Sequence, residues 1–199
     1  MVRTLNPVRP RDASQTRQEL LSAARVRFAR DGYSSTTVRD IATDAGVNVA
    51  LINRYFESKE GLFEACIARV GEELETPEHA SRSVDELARR LTTQIMGFSS
   101  AQGPAQLLLL VRRSGDERAD EIRRRILRSF AEKMAAIAGW QSDATDDRLL
   151  LRAEIVMAAA LGIIQLRATA GLEPLTSATR DDLAGPVHDA VRALLSAEL

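Results

Sequence analysis

Apolar residues recur along this chain at spacings of three and four and almost never alternate, a pattern that predicts an all-α protein of about nine helices. The first stripe, Leu20, Leu21, Ala24 and Phe28, predicts a helix over 13–30, with Arg17, Glu19, Arg25 and Arg27 off the stripe. Gly32 stops it, because glycine takes the left-handed conformation that closes helices. Thr37 followed three residues later by Asp40 has the form of a capping box. The helix it opens turns Val38, Ile41, Ala42 and Ala45 inward and ends at Gly46. Asn48 is a good N-cap for a further helix over 49–55, which buries Leu51 and Ile52 beside Val47. Ser58 opens a fourth, with Leu62, Phe63, Cys66 and Ile67 as its apolar face.

Beyond the loop-like "TPEHASRS" at 76–83, helical patterns run over about 83–99, 104–113, 117–138, 146–170 and 179–197. "EIRRRILRSF" at 121–130 reads as a solvated charged face over a buried Ile122, Ile126, Phe130 stripe. Trp140 closes the helix before it, and Pro186 starts or kinks the last one. The most apolar run, 155–166, is twelve residues long. A bilayer crossing takes about 20, so no membrane partner is expected.

Two short helices joined by a glycine-containing turn, with a helix bracing each side, make a helix-turn-helix. The organisation expected is a basic arm (1–11), a three-helix helix-turn-helix domain (12–57) and a larger helical domain (58–199), with 58–75 as connecting helix. Charge agrees with that division. Residues 1–60 hold ten Arg or Lys against seven Asp or Glu, and residues 61–199 hold seventeen against twenty-one. A basic end on a mildly acidic body points to a polyanionic partner at the N-terminal part. The single cysteine leaves no internal disulfide and no cysteine-based zinc site, so a reducing, cytoplasmic location is the default. With two histidines, no nucleophile elbow, no phosphate-cradling loop and no metal-ligand cluster, neither an enzyme nor a cofactor protein is expected.

"GYSSTTVRDIATDAGVNVALINRYFESKEGLFEACI" (32–67) resembles the DNA-binding domain of TetR-family transcriptional regulators. The likeness lies in the Gly-Tyr turn, "IATDAGV", the Tyr55–Phe56 pair and "SKEGL", over residues 13–70. "LRAEIVMAAALGIIQLRATAGLEPL" is similar to a helix and turn of the family's actinobacterial-type members. The resemblance implies a homodimer on a palindromic DNA operator, and a helical body that holds a small-molecule effector. Repression follows if the bound dimer blocks polymerase; activation would leave no different mark in this chain.

On that reading Asn48, Val49, Ala50 and Asn53 face the major groove, the small side chains at 49 and 50 allowing close approach, with Arg54 beside them. Many members carry Tyr where this chain has Asn53, and Asn can pair with adenine, so operator sequence does not transfer from them. Thr37 with the amides at its helix start, and Lys59 from the other side, are expected at phosphates. Arg39 and Tyr55 join them by family position. Arg9, Arg11 and Arg17 either reach the DNA or belong to a solvated segment. The resemblance also implies a pocket, for which Met96, Leu109, Phe130, Met134 and Met157 are candidates, though such residues at helical spacing also build plain core. Dimer contact is expected from the helices near 146–170 and 179–197, with Val187, Val191, Leu194 and Leu195 in the seam. The rival reading is a dimeric DNA-binding regulator without a small-molecule ligand.

Overall fold

The computed structural model describes residues 13–74, 82–98, 103–142 and 146–196, without the side chains of 70–74 and 103–106. Among them run nine helices: α1 (Ala13–Asp31), α2 (Val38–Asp44), α3 (Ala50–Phe56), α4 (Lys59–Leu74), α5 (Val84–Gly97), α6 (Gly103–Val111), α7 (Glu117–Ile137), α8 (Arg148–Thr169) and α9 (Arg180–Leu195). The arm carrying Arg3, Arg9 and Arg11 lies outside the described residues.

Helix ends follow local chemistry closely. Thr37 accepts from Asp40 N at 3.2 Å while its own N–H donates to the Asp40 carboxylate at 3.0 Å, the reciprocal bonds of a capping box. Thr179 and Asp182 repeat the device at α9, which therefore starts well before Pro186 and runs through it. At the end of α2, Gly46 N–H donates to Thr43 O and Val47 N–H to Ala42 O, both at 3.0 Å. That closure turns on Gly46 at φ +63°, a conformation in which a Cβ is costly. The same pair of bonds ends α7, from Gly139 and Trp140 to Ala136 and Ala135. Trp140 takes part through its backbone, and its ring packs on the core with its Nε1 buried and without a partner.

One apolar cluster runs through the whole fold, from Leu20 and Phe28 of α1 through Phe63 and Ile67 of α4 to Ile164 and Val191. Helix α4 binds the two ends together, packing on α1 and α3 on one side and on α6 and α7 on the other. Phe63 sits at this junction, 5.3 Å from the Phe28 ring and 4.8 Å from Tyr33, centroid to centroid.

Two expectations need correction. Arg25, placed off the α1 stripe, is 8% exposed, since its angular position falls between Leu21 and Phe28 and its long stem lies along apolar surface. Val187, Val191 and Leu195 are buried within the chain, because α9 lays that face on α5 and α8, so they have no surface to offer a second copy. Helix α8 has 22 residues, against the twelve of its most apolar run, and is long and apolar enough by composition to cross a membrane. It packs instead on α5, α6, α7 and α9, and leaves an uncovered stripe of Leu151, Ile155 and Leu166 with Ala158 and Ala159.

Candidate nucleic-acid interface and cavity

Helix α3 is held by its back. Ile52 is fully buried and Phe56 nearly so, while Asn48, Val49, Ala50, Asn53 and Arg54 are all exposed. The Asn48 side chain accepts from Ala50 N–H at 2.8 Å, which satisfies one of the amides a helix start leaves open. Its Oδ1 is thereby committed to the backbone. The front of α3 thus presents Asn53 beside the small side chains of Val49 and Ala50, a shape suited to close approach to base edges in a major groove. Arg54 stands 5.8 Å from the centre of the Tyr55 ring, and Tyr55 itself is half-buried.

Beside this face, Arg39 of α2 is exposed and its carbonyl accepts from Thr43 Oγ1 at 2.8 Å. Thr37 is exposed too, but its hydroxyl and its N–H both donate to the Asp40 carboxylate, at 2.7 and 3.0 Å. Its own donors are therefore engaged at the place where a phosphate was expected. Lys59 is half-buried with its ammonium 4.1 Å above the centre of the Tyr33 ring, a cation–π contact. Burial pushes its pKa below the usual lysine value, and Glu60 and Asp116 pull it back in part.

The turn that carries α3 into α4 is strained. Glu57 has φ +66° and ψ −40°, and Ser58 N–H donates back to Phe56 O at 2.7 Å, the bond of a γ-turn. Ser58 then caps α4, its Oγ accepting from Gly61 N–H at 3.1 Å. Replacing Glu57 by glycine removes the Cβ from a positive φ, and is expected to raise the unfolding free energy by about 1 kcal/mol in chemical denaturation. A midpoint unchanged or lowered at the same slope would show that the turn is not under strain.

A second joint ties this region to the rest of the chain, and periodicity gave no sign of it. Ser34 Oγ donates to Ser114 O at 2.6 Å, and Arg112 reaches Arg30 O at 3.4 Å, so the α1–α2 turn is bonded to the α6–α7 turn. Ser114 is in turn held by Asp120, which accepts from its N–H and its hydroxyl, both at 2.9 Å, and pairs with Arg123. Asp120 and Arg123 are 6% and 8% exposed, although Arg123 lies in "EIRRRILRSF", which read as a solvated face. Burial opposes the Asp120 charge, but the two Ser114 donors and the Arg123 guanidinium outweigh it and hold the carboxyl at about 2. The only local signal was an Asp and an Arg three residues apart, which describes a surface pair equally well.

Between α5, α6, α7 and α8 lies a cavity with about 630 Å³ of empty space, its mouth included. Phe130, Met134 and Met157 line it. Met96 and Leu109 do not: each stands next to a lining residue, Ile95 and Leu110, and one residue turns a helix by about 100°. Leu109 is buried elsewhere, with its carbonyl accepting from Arg123 Nε at 2.8 Å.

A short helix exposed on one face, packed on α4 behind and reached from α2 through a glycine-closed turn, defines a helix-turn-helix protein. Residues 20–66 match the family described as bacterial regulatory proteins, tetR family, and residues 85–195 match the tetracyclin repressor-like C-terminal domain, so the chain belongs to the TetR family. Over 61 residues it is 43% identical to the HTH-type transcriptional dual regulator CecR of Shigella flexneri, a match covering 31% of this chain and 27% of that protein. The chain thus spans about a quarter of that relative's length. A solved TetR-family regulator from Streptomyces coelicolor A3 is 28% identical with a TM-score of 0.56, covering 96% of this chain and 100% of that one. NalD, the secondary repressor of the MexAB-OprM multidrug efflux pump in Pseudomonas aeruginosa, is 21% identical with a TM-score of 0.65, covering 91% and 98%. At that identity the likeness is one of fold.

Proposed function

We propose that this protein is a ligand-responsive transcriptional repressor that binds a palindromic operator as a homodimer in the cytoplasm. The observation that carries the reading is α3, whose Asn48, Val49, Ala50 and Asn53 are exposed above a fully buried Ile52. Asn53 reads a base edge, with Val49 and Ala50 letting the helix come close. Arg39, Arg54, Tyr55 and Lys59 set the register on phosphates, Lys59 by leaving the Tyr33 ring. Thr37 contributes by fixing the start of α2 rather than by offering its hydroxyl.

One such unit reads few bases, whereas a two-fold dimer places two recognition helices about 34–36 Å apart. The uncovered α8 stripe supplies the seam. Leu151, Ile155 and Leu166 are each more than two-fifths exposed, and a Cβ at Gly162 would meet no atom within 4 Å, so a partner helix can approach closely there. The chain divides at Ser58 into an operator-reading part and a regulatory part, and α4 links them. The cavity takes the effector, and two routes lead from its walls to the helix-turn-helix: α4, which packs on both α7 and α3, and the Ser34–Ser114 bond between the α6–α7 and α1–α2 turns.

Selection of operators from randomised DNA, with wild type, Asn53→Ala and Lys59→Ala compared at fixed salt, tests the reading. A palindrome is expected. Asn53→Ala should relax one position in each half-site by about 1–3 kcal/mol, and Lys59→Ala should weaken all sequences alike and lower the salt slope by about one. No enriched sequence with the wild-type protein, or an unchanged motif with both variants, would sink it.

A further inference from the structure

The lining of the cavity is uneven. Its deep wall is made by Ile95, Leu110 and Ile164, each 2% exposed or less. Its polar lining consists of Lys133, which is exposed, and Arg90 and Gln94, which are half-buried. The Lys133 ammonium lies 5.7 Å from the centre of the Phe130 ring, on a wall of the cavity itself. Among the described residues lining the space, two are cationic and none is acidic. An apolar lining with two cationic side chains and no acidic one complements one kind of molecule.

We propose that this cavity binds an amphipathic anion, a medium-chain carboxylic acid or an acid of like shape, with its chain on the apolar lining and its head group at Arg90 and Lys133. The inference rests on the reading of the cavity as the effector site and specifies its ligand chemistry. The physical division of labour is simple. Each methylene laid against Ile95, Leu110 and Ile164 leaves water and strengthens binding about fourfold. The carboxylate stays beside Arg90 and Lys133, where two positive charges favour it and an ammonium head would be repelled. A neutral head gains neither effect, so head-group charge decides among chains of equal length.

The test is calorimetric titration of the full chain with octanoate, decanoate, decanol and decylammonium, each below its micellar concentration. Decanoate is expected to bind at least about tenfold more tightly than decanol, octanoate to bind about fifteenfold more weakly than decanoate, and decylammonium not to bind. The Arg90→Gln/Lys133→Gln double variant should lose about tenfold for decanoate and leave decanol within about twofold. Decanol is thus the control for an intact cavity, and the single variants cover the case in which the double variant does not fold. Decanol or decylammonium binding as tightly as decanoate, or the double variant keeping decanoate affinity, overturns the anion assignment. Binding by none of the four also overturns it. The broader reading is examined separately with Met134→Trp, which fills the cavity without any ligand. If that variant alters operator affinity while decanoate fails to bind, the ligand chemistry is wrong and the effector site stands. If operator affinity is unchanged in a folded Met134→Trp protein and no probe binds, both fail.

Discussion

Asp120→Ala is expected to lower the unfolding free energy by about 3–5 kcal/mol, because it leaves the Arg123 guanidinium buried without its counter-charge. For a chain of this size that is a fall in melting temperature of about 6–20 °C, measured at one fixed protein concentration. The loss comes from two sources. Arg123 keeps its bond to Leu109 O, but the Ser114 N–H and hydroxyl lose the carboxylate that accepts from both. Asp120→Asn keeps an acceptor of the same shape and should cost less. The same carboxylate makes a pH prediction whose sign is fixed. Its folded pKa of about 2 lies below the ordinary 3.8, so its contribution is complete above about pH 4 and is lost as pH falls toward 2. The difference in urea midpoint between wild type and Asp120→Ala should therefore be constant from pH 7 to pH 4.5 and shrink below that. A gap of under 1 kcal/mol at neutral pH, or one that widens in acid, would show that the pair does not hold the α6–α7 turn.

Gly61→Ala is the second large effect, for a reason that has nothing to do with helix propensity. Alanine is a better helix former than glycine, so an exposed position near the start of α4 would gain about 1 kcal/mol. Here a Cβ would stand 2.1 Å from the carbonyl oxygen of Phe56, a backbone atom that cannot swing aside. That oxygen already accepts from Ser58 N–H in the γ-turn at Glu57, so the turn and the close approach of α4 depend on each other. Relieving the overlap means opening the α3–α4 corner, and a loss of about 3 kcal/mol, or 6–12 °C in melting temperature, is expected. Because α3 hangs from that corner, operator affinity should fall along with stability. A stabilised Gly61→Ala protein with wild-type DNA binding would mean that the corner is looser than its geometry implies.

These two residues mark how far the chain could be read in one dimension. Spacing of apolar residues placed nine helices to within a few residues of their observed ends, since a helix's pattern, caps and stop are written in its own turn or two. Thr37 with Asp40, Gly46, Asn48 and Ser58 act where they stood in the sequence, each bonding to a backbone group one to four residues away. The exposed front of α3 was legible for the same reason: once Ile52 and Phe56 face inward, helical geometry turns Asn53 out. "SKEGL" was legible as a motif, but its glycine had no stated task until the Phe56 oxygen was found against it.

Which apolar face meets which neighbour was a different matter. Val187 and Val191 form as good a stripe as any dimer seam would need, and only the packing of α9 on α5 shows them consumed within the chain. Met96 and Met157 look alike in sequence, and one residue of helical rotation separates a cavity wall from its neighbour. Arg123 sits in a run of three arginines, and its burial depends on Asp120, Ser114 and the Leu109 carbonyl arriving from other parts of the chain. By itself, then, the sequence determined the helices, their caps and the exposed face of α3, because these rest on interactions within about four residues. The tertiary structure alone decided the buried ion pair, the lining of the cavity and the free face of α8, because each is made by groups that only packing brings together.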